Sequence, residues 1–120
     1  MGDGENELLT QYSQAPLDED ELLRMAEANP DNINILDCLA FKFYTSEQLD
    51  RALEFYKKIV TLDDQNESAH FYIGNIFYRK KQIMAAIFEW KKVIGLGTDP
   101  KLADKAQERI DAAMKQIQSL

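Results

Sequence analysis

The sequence has one histidine and one cysteine, His70 and Cys38, and any metal or nucleophilic chemistry would have to begin with them. A structural zinc site takes four ligands, mostly Cys and His, and a thiol nucleophile needs a base positioned beside it. His70 and Cys38 lie far apart in the chain, and no partner stands at ligand or dyad spacing from either. His70 therefore reads as a packed or half-buried ring. Cys38, next to Leu39 in a helical stretch, reads as an ordinary buried thiol. Gly95-Leu96-Gly97 has the glycine content of a phosphate loop. It follows a helical pattern rather than a strand and lacks the Lys-Ser/Thr pair, so it reads as a helix stop. Asp18-Glu19-Asp20-Glu21 lacks the alternating ligands and central Gly of a calcium loop; such a run suits the positive end of a helix dipole. Met25, Met84 and Met114 read as packing fillers. No paired carboxylates, triad or metal cluster emerges, so no catalytic residue, metal or cofactor is assigned and the chain is read as a non-enzyme.

The elements that would position any site follow from composition and pattern. At 120 residues the chain has the length of one domain, and 45% hydrophobic with 29% charged residues is an ordinary globular balance. The net charge of −7 argues against general binding to nucleic acid or anionic membrane. The charge is uneven. Residues 1–32 carry nine acids and a single base, Arg24, whereas residues 67–100 carry five bases and three acids. Arg79-Lys80-Lys81 reads as a solvated turn. Met1-Gly2-Asp3-Gly4-Glu5-Asn6-Glu7 is acidic and lacks the apolar run of a signal peptide, and no stretch approaches the ~18 apolar residues of a membrane span. The expected location is cytoplasmic, or that of a soluble domain excised from a longer protein.

Residues 33–66 align with residues 67–100 at a constant offset of 34. Phe43 falls on Phe77, Tyr44 on Tyr78, Gln48 on Gln82, Ala52 on Ala86, Lys57-Lys58 on Lys91-Lys92, and Leu62 on Leu96. Apolar pairs such as Leu39/Ile73, Tyr56/Trp90 and Ile59/Val93 fill the gaps. Within each unit the apolar residues recur at helical spacing twice, with a polar break between, such as Thr45-Ser46-Glu47-Gln48. Each unit is thus a pair of antiparallel helices, and a fixed period of this length means stacked repeats.

The pattern resembles the tetratricopeptide repeat. Leu36-x2-Leu39-Ala40-x2-Phe43 with Ala52-x3-Tyr56, and His70-x2-Ile73-Gly74-x2-Phe77 with Ala86-x3-Trp90, follow its 34-residue motif. Leu36 and His70 replace the motif's first Trp, and Asp64 and Thr98 replace its closing Pro. Pro30 holds that closing position for an upstream partial repeat. The resemblance implies an all-α, right-handed superhelical stack of antiparallel helix pairs. Its expected parts are a partly ordered N-terminal segment (1–17, with a stunted helix at 5–14), a half-repeat helix (18–32), repeats over 33–66 and 67–100, and a C-terminal capping helix (101–120). Ala40 and Gly74 stand where paired helices should approach most closely.

In tetratricopeptide proteins the first helix of each repeat lines a concave groove that commonly holds a peptide. The resemblance places Asn34, Asp37, Phe41, Tyr44 and Thr45 on that face in the first repeat. In the second it places Ser68, Phe71, Asn75, Tyr78 and Arg79, joined by Lys105 and Arg109 from the cap. The four aromatics have no evident burial partner within the repeats, which suits an apolar segment as ligand, unless the N-terminal segment or a second copy covers them. Asn75 is suited to bonding a peptide backbone. Asp37, Phe41, Tyr72 and Ala106 stand where chaperone-tail binders of this family carry their carboxylate clamp, so that ligand class is not expected. The implied function is a scaffold for a peptide or protein segment with apolar anchors. The alternative is a self-assembling module, a homo-oligomer formed through the groove or by end-to-end stacking.

Overall fold

The computed structural model describes residues 18–119, so the expected N-terminal helix at 5–14, and any covering of the groove by that segment, fall outside the described residues. These residues form six helices: α1 (Glu19–Ala28), α2 (Ile33–Thr45), α3 (Leu49–Leu62), α4 (Glu67–Arg79), α5 (Ile83–Leu96) and α6 (Pro100–Gln118). There is no strand among them. The chain divides into two compact units, Met1–Lys58 and Ile59–Leu120.

In the first unit, α1 begins at Asp18, whose side chain accepts from the Glu21 N–H at 2.8 Å. Three acids follow in the first turn, where the helix dipole favours them. α1 buries Leu22 and Ala26, and α2 buries Ile35, Leu36, Leu39, Ala40 and Phe43. The ring of Phe43 stacks on Phe55 of α3, with centroids 5.7 Å apart. Arg51 covers Phe43 with its guanidinium 4.3 Å from the ring centre. Its planar cation caps an aromatic face without a carboxylate partner being needed.

In the second unit, α4, α5 and α6 surround Trp90, which is 1% exposed. Its indole lies against Gly74. A Cβ built on Gly74 would come within 2.5 Å of Trp90 Nε1, so only glycine admits the ring at this crossing. α5 stops at Gly97, which adopts a left-handed φ of 61° and donates its N–H to the Val93 carbonyl. Asp99 then caps α6 through the N–H groups of Lys101 and Leu102, with Pro100 in the first turn.

The repeat is also visible in the main chain. Asn32 and Asn66, 34 residues apart, cap α2 and α4 by accepting from Ile35 N at 3.1 Å and Ala69 N at 2.9 Å. Glu47 and Lys81, again 34 apart, both adopt left-handed φ, at 68° and 64°. At each turn the next residue, Gln48 or Gln82, donates back to Phe43 or Phe77 over 2.9 Å. That six-to-one bond closes a helix end so that its carbonyls are not left unpaired.

Candidate functional site

On α2, the residues expected in the groove lie away from the side that buries Ile35, Leu36, Leu39 and Phe43. Asn34, Phe41 and Thr45 are exposed, and Asp37 and Tyr44 are half-buried. Phe41 is 44% exposed and stacks on Tyr44, with ring centroids 6.4 Å apart and planes 23° from parallel. This face therefore presents a pair of aromatic rings beside a carboxyl group. Burial pushes the Asp37 carboxyl above its usual range. Cys38, expected to be buried, is exposed. Its thiol is nonetheless pushed up, first by partial desolvation and then by the charge of Asp37. A thiol held protonated in this way is a weak nucleophile.

On α4 the corresponding face is different. Ser68 and Arg79 are exposed and Tyr78 is half-buried, but Phe71 and Asn75 are each only 4% exposed. The expectation that Phe71 lacks a burial partner is corrected. It belongs to the apolar cluster of Trp90, Val93, Ala106, Ile110 and Ala113, because α6 packs across α4 as well as α5. Tyr72 meets Phe71 edge-on at 5.6 Å, and Arg109 lies 5.2 Å from the Phe71 ring centre. Asn75 is likewise engaged within the fold, its Oδ1 accepting from Trp90 Nε1 at 3.1 Å. Tyr78 leans on Trp90 at 5.7 Å and donates its hydroxyl to Gln116 of α6. Lys105 and Arg109 are exposed on α6.

Other groups singled out by type prove structural. His70 is 5% exposed and bridges three segments: Nδ1 lies 2.7 Å from Glu89 Oε2 on α5, and Nε2 lies 2.7 Å from the Asp64 carbonyl. Glu67, which spacing did not single out, is buried at the start of α4. Its carboxylate accepts from Thr98 N at 2.9 Å, from the Thr98 hydroxyl and from Asp99 N at 3.2 Å, tying α4 to the α5–α6 junction. The Thr98 hydroxyl is the main reason its carboxyl is held below the ordinary range. Met84 and Met114 are exposed at 69% and 42%, so the reading of both as core fillers is corrected. Among the described residues no three His, Cys, Asp or Glu side chains converge as a metal site. No helix among them is long and apolar enough to cross a membrane.

Three solved structures share this arrangement. YrrB, a TPR protein with an unusual peptide-binding site, matches with a TM-score of 0.72 at 19% identity over 84% of this chain. This chain spans only 50% of YrrB. SycD, the type III secretion translocator chaperone of Yersinia enterocolitica, matches with a TM-score of 0.79 at 13% identity, over 95% of this chain and 79% of its own. MamA MSR-1 C2 matches with a TM-score of 0.61 at 19% identity, over 85% of this chain and 67% of its own. No protein-family model and no curated protein matches the sequence. The fold is that of the tetratricopeptide repeat, an all-α architecture of helical hairpins with a C-terminal capping helix.

Proposed function

We propose that this chain is a non-catalytic interaction module that binds a peptide or protein segment with apolar anchors, using the outward face of α2. The observation that carries this reading is the Phe41–Tyr44 pair. Two stacked aromatic rings, one of them 44% exposed, lie on the side of α2 that the core does not use. Aromatic rings supply large contact area at low conformational cost, which is why they dominate binding hot spots. Asn34, Asp37 and Thr45 border them with hydrogen-bonding groups. In the second unit Arg79, Lys105 and Arg109 are exposed and Tyr78 is half-buried. Phe71 and Asn75 are engaged within the fold, by the apolar cluster of α5 and α6 and by Trp90. The peptide-binding site of YrrB and the chaperone role of SycD are consistent with protein partners. The test is the affinity of peptides selected by display on the wild-type chain for its Phe41→Ala/Tyr44→Ala variant.

A further inference from the structure

The outer side of α5 is the apolar surface that the fold itself leaves unexplained. Met84 and Phe88, one helical turn apart, are 69% and 62% exposed. Counting on by helical spacing adds Lys91 and Gly95 to the same stripe, while Ala86, Ile87, Trp90 and Val93 fill the buried side. The stripe runs three turns, roughly 16 Å. The outer face of α6, in the same unit, is instead polar, with Lys101, Asp104, Glu108 and Asp111 all exposed, as a solvated helix should be. Two large apolar side chains in one turn are a different matter from a single exposed leucine.

Gly95 completes the stripe in an unexpected way. A Cβ added there would meet nothing within 4 Å. Neither internal packing nor a left-handed backbone therefore requires glycine, although glycine weakens a helix relative to alanine. Its effect is to leave bare backbone at the end of the apolar stripe, where a second helix can approach closely.

The charge around the stripe selects the partner. Glu89 is the one acid of α5; its Oε2 meets His70, its Oε1 lies 3.4 Å from Lys92 Nζ, and its side chain is 13% exposed. Lys91 and Lys92 are exposed, and Lys92 Nζ lies 4.5 Å above the ring of Phe88. With Lys92 paired to Glu89, Lys91 is the stripe's own charge, a cation on a chain of net charge −7. A phosphate backbone would answer Lys91 but leave Met84 and Phe88 in water. An acidic amphipathic helix answers both.

We propose that the Met84–Phe88–Lys91–Gly95 stripe is a second docking surface, which takes an acidic amphipathic helix of another protein independently of the α2 face. The experiment pans a 16-residue random peptide display library on the full chain and measures the enriched peptides by fluorescence anisotropy. One class of binder is expected to be acidic, with apolar residues at helical spacing. Its affinity should fall roughly tenfold or more with Met84→Ser/Phe88→Ser, as for loss of a hot spot. It should fall similarly with Lys91→Glu and with added salt, and hold for Phe41→Ala/Tyr44→Ala. All substituted side chains are exposed or half-buried, and circular dichroism of each variant confirms the fold. The proposal is overturned if no enriched peptide responds to the α5 substitutions, or if those that respond are neutral or basic. It is also overturned if wild type sediments as a concentration-dependent oligomer that Met84→Ser/Phe88→Ser dissolves, because the occupant is then a second copy.

Discussion

Trp90 donates its indole N–H to Asn75 Oδ1 across 3.1 Å, inside the unit formed by α4, α5 and α6. That bond makes Asn75 part of the fold rather than a free reader of peptide backbone. Asn75→Ala would leave the Trp90 donor buried without an acceptor, which costs about 1–3 kcal/mol. Urea unfolding should show a loss of that size.

Gly74, next to Asn75 in the chain, lies against the same indole nitrogen. Gly74→Ala places a methyl group 2.5 Å from Trp90 Nε1, which the ring can relieve only by shifting out of its packing. A loss of about 1–3 kcal/mol is expected from such overpacking, larger than the small gain alanine gives a helix. The check is the same denaturation series. Stability equal to or above wild type would show that the crossing is looser than its geometry implies.

Glu67 should make the second unit sensitive to acid. Its carboxyl is held below the ordinary glutamate range, chiefly by the Thr98 hydroxyl. A group with a depressed folded pKa stabilises the fold above its unfolded value, and that contribution is lost as pH falls through the folded value. Wild type should therefore melt above Glu67→Gln at pH 7. The difference should narrow as pH drops below the ordinary glutamate range. Thermal melts of both proteins across that range measure it.

Glu47 and Lys81 carry side chains in left-handed turns where glycine is the usual residue. Glu47→Gly and Lys81→Gly should each stabilise by roughly 0.5–1 kcal/mol, because the strain of a Cβ at positive φ outweighs the added chain entropy. Midpoints of chemical denaturation, compared for the two single variants and the double, test this at both hairpins.

The sequence was most legible where periodicity met packing. The 34-residue offset marks two like pairs of helices, and the place of Gly74 in the motif marks a close crossing, where the indole of Trp90 lies. Gly97 is legible as a helix stop, and the acidic run 18–21 as a helix N-terminus, because helix ends use few residue types. The site was legible on α2 and much less so on α4. Spacing puts Phe71 and Asn75, the counterparts of Asp37 and Phe41, on the expected face, but it says nothing about α6 folding back across that face. Glu67 gave no signal either. Its role depends on Thr98 and Asp99, which only the turn after Gly97 brings near. Methionine in a helix usually fills a core, but Met84 lies about 120° around α5 from Trp90, off its buried side.

The most direct test of the proposed function is an anisotropy titration of display-selected peptides against wild type and the Phe41→Ala/Tyr44→Ala variant, with helicity and melting temperature recorded for both. Removing two aromatic anchors should weaken at least one class of selected peptide by roughly thirtyfold or more while the variant keeps its fold. Affinities unchanged across every selected peptide, in a variant as helical as wild type, would contradict binding on the α2 face.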